Sequence, residues 1–366
     1  MSTRVSRKLR LSLAALGTIG VVVVLVFSAL TWLAISAERS FFMLPYKQES
    51  WYRFLLPSQF VVQDKPVIML AGPSTVRENL RWEQMQEAFP DYHIYQGGIS
   101  VGTIEDVTIS LKLIEAAYGE DALPDYVVLG LGPRFLANLP PERPFKTIVN
   151  TYSPWSVTTG PNGVELHKKS LFGAALAKIR FVGKQPERFR SALRAWAAYW
   201  GRSIEEWPPG EAFLRKAGFL NMWTSQVERQ RRLVSPYKFS RSAGLSEEDL
   251  AVYMSGSWWE SVFDWDVRKN GDAAAVRLRQ LLDFLNEHGI GVAVVNMPER
   301  SYSRSRFAFE YEDYLGAIRD GIGTAPFLDL STFSHDDEFH DAEHTIPEGS
   351  RRLTNRVIVW VQSLLT

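Results

Sequence analysis

The 366-residue chain contains no cysteine. A disulfide framework, a thiolate nucleophile and a cysteine-ligated metal are thereby excluded. It also lacks an excess of either charge, with 41 Lys and Arg against 41 Asp and Glu. A dedicated nucleic-acid binder would show a basic excess, so nucleic acid is not an expected partner. No internal repeat and no low-complexity tract occurs, which removes solenoids and compositionally disordered tracts. What remains is ample apolar material, 46% of the chain. That is enough for one large domain, or one domain with an insertion.

The run 11–35 is largely apolar and carries no charged residue. It is long enough to span a bilayer as a helix. Arg4, Arg7, Lys8 and Arg10 precede it, and Glu38 and Arg39 follow. The positive-inside bias then predicts a cytoplasmic N-terminus with the bulk of the chain outside. The competing reading is a cleaved signal peptide, with Ala34 and Ser36 before the cut; its apolar core usually runs only about 7–15 residues. The expectation is a retained anchor in a bacterial inner membrane: basic tail 1–10, transmembrane helix 11–36, connector 37–65, and an extracytoplasmic domain 66–366.

Within that domain, strand-like and helix-like segments alternate. Strands are predicted at Val67–Ala71, 92–95, Tyr126–Leu131, 292–295 and 327–330, with helices at 80–89, Ile104–Tyr118, 273–288, 311–319 and from about Pro347 onward. Such alternation implies a parallel sheet covered by helices on both faces. Between about 138 and 270 the pattern lapses. This stretch carries repeated prolines and eight of the twelve tryptophans, and it reads as a largely helical insertion, with helices at 187–199 and 210–232. Core and lid packing explains the tryptophans more simply than a sugar-binding platform does, because large aromatics bury readily.

Two short segments carry the chemistry. Gly72-Pro73-Ser74-Thr75 follows the first strand, and a serine just past the C-terminal end of a parallel strand sits where open α/β sheets bind ligands. A serine hydroxyl needs a base to become a nucleophile. Far along the chain stands Asp341-Ala-Glu-His344. In a turn, that carboxylate can reach one imidazole nitrogen and leave the other for Ser74, fixing tautomer and orientation. The same loop is dense in possible metal ligands: His340 and His344, with Asp336, Asp337, Asp341 and Glu343. A divalent ion is the alternative use, although no standard ligand signature is present. The reading adopted contains no metal and no cofactor.

Serine early and Asp-x-x-His late resembles the SGNH (GDSL-like) hydrolase superfamily. More narrowly, the chain resembles the membrane-anchored acyltransferase branch that includes proteins of alginate acetylation and teichoic-acid D-alanylation. The resemblance implies a three-layer α/β/α sandwich, flavodoxin-like, around a five-stranded parallel sheet. It makes Ser74 the nucleophile and Asp341 and His344 the other triad members. It places Val101 or Gly102 where the family offers a backbone N–H to the oxyanion, and Arg134 where the family carries an asparagine donor. An arginine there is a cationic donor, or else the partner in a strand-end salt bridge. Glu299 and Arg300 stand at another strand end, lining the pocket or forming a solvated turn.

The activity implied is O-acyl transfer, most simply of acetyl, through an acyl-enzyme to a polysaccharide or cell-wall polymer. A multi-pass membrane-bound O-acyltransferase is the implied acyl donor. Alternatives are an O-acetyl esterase or lipase, or a non-enzymatic SGNH scaffold.

Overall fold

Val67–Ala71 (β1) is five apolar residues, of which the last four are buried. The chain then turns at Gly72, whose φ is 142°. A Cβ on Gly72 would stand 2.6 Å from the Gly130 carbonyl, so the close approach of this turn to the third strand requires glycine. The computed structural model describes residues 65–99, 102–137, 144–153, 155–160, 163–170, 172–174, 176–177, 246–255 and 257–365, with 17, 18, 20–22 and 25 near the N-terminus. The chain divides into two units. The central sheet and the candidate site belong to the larger one: Pro45–Asn150, Trp155–Lys168 and Thr224–Thr366.

After the turn come Ser74–Asn79 (α1), Trp82–Ala88 (α2), His93–Gln96 (β2), Ile104–Tyr118 (α3), Tyr126–Leu131 (β3) and Pro133–Ala137 (α4). Pro144–Tyr152 (α5) leads to Trp155–Gly160 (β4) and Gly163–Lys168 (β5). Later elements are Glu247–Tyr253 (α6), Ser257–Phe263 (α7), Val267–Glu287 (α8), Gly291–Asn296 (β6), Ser301–Arg304 (α9), Tyr311–Ile322 (α10), Phe327–Asp329 (β7) and Pro347–Leu365 (α11). The protein is α/β. Its central sheet has five strands in the order β2-β1-β3-β6-β7, all parallel.

Alternate residues of the strands feed two cores. Met69, Val127, Leu129 and Val294 pack with α3, α8 and α10 on one face. Ile68, Leu70, Val128, Ala293 and Val295 pack with α1, α2 and α11 on the other. Local signals set the helix starts. Thr103 accepts from the Asp106 N–H while Asp106 bonds back, a capping box that opens α3. The Asp266 side chain caps α8 by accepting from the N–H groups of Arg268 and Lys269.

The register aligns the C-terminal strand ends along one rim: Leu70 with Gln96, Leu131 with Asn296, and Asn296 with Asp329. The chain steps from β1 to β2 on one side and then crosses back to β3 on the other, after which the strands follow in one direction. The crevice at such a switch point is where open α/β sheets hold ligands.

Several expectations change. The single-pass anchor, and with it the inner-membrane localisation, is overturned: among the described residues no helix is long and apolar enough to cross a membrane. Within 11–35 the described residues are Gly17, Thr18, Gly20, Val21, Val22 and Leu25. The rest of that run, and the helices expected at 187–199 and 210–232, lie outside the described residues. The insertion was read without strands, yet β4 and β5 pair antiparallel as a hairpin. Its later part has a structural task. Leu250, Met254, Trp259, Val262 and Phe263 enclose Ala342, which lies inside the Asp-x-x-His loop.

Candidate active site

Ser74 is the first residue of α1. Its Oγ lies 3.0 Å from His344 Nε2. The other ring nitrogen, Nδ1, lies 2.8 Å from Asp341 Oδ2. Asp341 Oδ1 accepts from the backbone N–H groups of Glu343, at 3.0 Å, and His344, at 2.8 Å. One carboxylate therefore shapes the loop and orients the ring together. All three residues are buried.

The loop is fixed from both sides. His340 N–H donates to His344 O at 2.9 Å, and Phe339 bridges Thr345. On the α1 side, the Asn79 amide donates to Glu343 O at 2.8 Å and its oxygen accepts from Thr345 N–H at 2.9 Å. On the far side, Arg300 N–H and the Ser303 hydroxyl both donate to Ala342 O, each at 3.1 Å. The short helix that starts with the serine thus ends with the residue that seats the histidine. Asn79→Ala leaves a buried donor and acceptor unanswered at a cost of about 1–3 kcal/mol each. A lower melting temperature and slower Ser74 labelling are expected together. A variant with wild-type values of both would show that the loop holds itself.

Arg134, in α4 just beyond β3, touches both the serine and a carboxylate. One guanidinium nitrogen lies 3.1 Å from Ser74 Oγ, and another forms an ion pair with Glu343. Glu299 is buried behind this pair. Its carboxyl is pushed up to about 8, first by burial and then by the charge of Glu343, against the opposing pull of Arg134 and Arg304. Gly102 is buried, but its N–H closes a turn onto Ile99 O at 3.0 Å and is spent there. Val101 lies outside the described residues.

Three contributors escaped the sequence reading. Glu78 Oε2 stands 3.6 Å from His344 Nε2 and pairs with Arg77 at 2.7 Å. It is four residues after Ser74, on the same side of a helical turn, so the spacing was a usable signal. Glu343, within Asp341-Ala-Glu-His344, was considered only as a metal ligand. Asn79 gave no signal beyond its place at the helix end.

Burial works against a charged His344, but Asp341, and after it Glu78, raise its pKa above the ordinary imidazole value. Burial also works against the Asp341 carboxylate, yet His344, by charge and hydrogen bond, holds it far below the usual range. A base must be neutral to act. The rate of serine acylation should therefore rise with pH along a limb centred above about 6.5. Glu78→Gln should move that limb to lower pH; an unmoved limb would show that Glu78 does not act on the imidazole. Stability runs the other way. The raised histidine stabilises the fold fully below about 6.5, and this is lost as pH climbs through its folded value. Glu299 adds a fall in the same sense from 4.5 to about 8, because the folded chain holds its proton longer.

Ligand atoms of Glu78, His340 and His344 lie within 4.8 Å of one another, a donor set that zinc accepts. Both His344 nitrogens are already engaged, by Asp341 and Ser74. The His340 ring stacks on the His344 ring at 5.7 Å and 15°. Asp336, a candidate ligand in the metal alternative, accepts from Ser301 N–H at 2.8 Å.

No protein-family model matches this chain, and no curated protein matches it significantly.

Proposed function

We propose that the chain is a serine acyltransferase of SGNH type, built as a three-layer α/β/α sandwich. The observation that carries this reading is the unbroken hydrogen-bonded line from Ser74 through His344 to Asp341. Ser74 Oγ attacks the carbonyl carbon of an acyl donor while His344 Nε2 takes its proton. The tetrahedral oxyanion meets the Ser74 backbone N–H, which as a first-turn group has no intrahelical acceptor, and the Arg134 guanidinium. Collapse breaks the bond to the leaving oxygen, which takes the proton back from His344. In the second half, His344 deprotonates an acceptor hydroxyl, which attacks the Ser74 ester and frees the serine. Asp341, and Glu78 beside Nε2, stabilise the imidazolium in both halves.

The acceptor in this reading is a hydroxyl of a polysaccharide or cell-wall polymer, and the donor partner is a multi-pass O-acyltransferase. Water as acceptor would make the same site an esterase. A fluorophosphonate probe should label the chain stoichiometrically. With an activated acyl ester and an added glycan, acylated glycan should exceed free carboxylic acid. No labelling would sink the serine chemistry, and acid release undiminished by glycan would leave a hydrolase.

A further inference from the structure

A cavity of about 410 Å³ opens beyond the C-terminal ends of β3, β6 and β7. Its wall is mostly apolar and aromatic, with Met297, Phe307, Phe309, Tyr311 and Tyr314. Glu299 lines it beside Pro133, the neighbour of Arg134. Its Oε1 would lie 3.5 Å from a Cβ on Gly132, two residues before the Arg134 that touches Ser74 Oγ.

The polar atoms of the wall are engaged with one another. Tyr311 donates to Asp329 at 2.9 Å, Tyr314 to Asn296 Oδ1 at 2.9 Å, and Arg304 to Ser331 O at 2.8 Å. Glu299 is not engaged in this way. It is more than nine-tenths buried, and among the described residues no hydrogen bond or ion pair engages its carboxyl, which faces this space. A sugar ring brought here would strand hydroxyls without partners, each at a desolvation cost. A hydrocarbon chain would meet aromatic faces and gain by every methylene buried. At about 30 Å³ per water, the cavity equals on the order of a dozen waters. The methyl of an acetyl group would leave almost all of it unfilled.

We propose that this cavity is the acyl pocket, and that the group carried on Ser74 is an apolar chain of medium length rather than acetyl. The inference rests on the acyl-transfer reading above and names its donor class.

The test uses the full chain and p-nitrophenyl esters from acetate to octanoate. Burial of a methylene is worth about fourfold, so kcat/KM for the hexanoate should exceed that for the acetate by about tenfold or more. Ser305→Trp and Thr332→Trp, at two exposed rim positions, should each drop the hexanoate-to-acetate ratio toward one. That ratio is internal to each preparation and so independent of how much of it folds. A flat chain-length profile in the wild type, or an unchanged ratio in both folded variants, overturns the proposal. Binding is read separately: hexanamide should raise the melting temperature of the wild type and acetamide should not. A hexanamide shift without any probe labelling would sink the acyl-transfer reading while upholding the pocket. Labelling without a hexanamide shift would uphold the chemistry and sink the pocket.

Discussion

A Ser74→Ala chain should show no fluorophosphonate labelling and a fall in ester turnover on the order of 10⁶, the scale seen when a triad nucleophile is deleted. The fold should survive, because the hydroxyl contributes only its bonds to His344 and Arg134. Asp341→Asn should cost about 10⁴, since an amide in that place favours the wrong imidazole tautomer. The losses should not multiply. A Ser74→Ala/His344→Ala chain should be no slower than Ser74→Ala alone, because residues that act as a unit are removed as a unit. Labelling of the alanine variant at the wild-type rate would move the nucleophile elsewhere, with buried Thr75 the first place to look.

Arg134→Ala is expected to slow acylation by about 10²–10³, the usual cost of losing one oxyanion donor. It should also destabilise the fold. Glu343 would be left buried without its cation, a loss of about 3–5 kcal/mol when one member of a buried pair is removed. The two effects separate in a double variant. Arg134→Ala/Glu343→Gln removes the stranded charge and should recover most of the melting temperature while remaining slow. Arg134→Lys keeps the charge but lacks the planar fork that reaches Ser74 and Glu343 at once, so it should recover stability better than rate. If the double variant regains the wild-type labelling rate, Arg134 is a structural cation alone.

Much of the scaffold was legible because buried parallel strands announce themselves as short apolar runs. Val67–Ala71 and Tyr126–Leu131 have the bounds read from the sequence, as does the helix Ile104–Tyr118. The first short helix was not. Gly72-Pro73 looks like a break, so the first helix is predicted only at 80–89, yet proline fits beside a helix start and α1 begins at Ser74. The hairpin β4–β5 was masked by its prolines, although Gly160-Pro-Asn-Gly163 is good turn chemistry between two alternating stretches.

At the site, the serine, aspartate and histidine were readable because triad chemistry restricts residue type and spacing. The Asn79 clamp was not. Which backbone groups a buried amide meets depends on how a loop lies on a helix, and no local pattern encodes that.

Ser74 and His344 are 270 positions apart, and this spacing sets a clock during synthesis. At about 5–20 residues per second, Ser74 is made roughly 15–50 s before His344 exists. Throughout that interval the nascent chain holds the hydroxyl without its imidazole partner, without the Asp341 carboxylate and without the contacts by which Asn79 seats the loop. On the serine chemistry proposed above, the growing polypeptide would be mute toward any acyl donor, and activity would begin in one step when the closing segment docks.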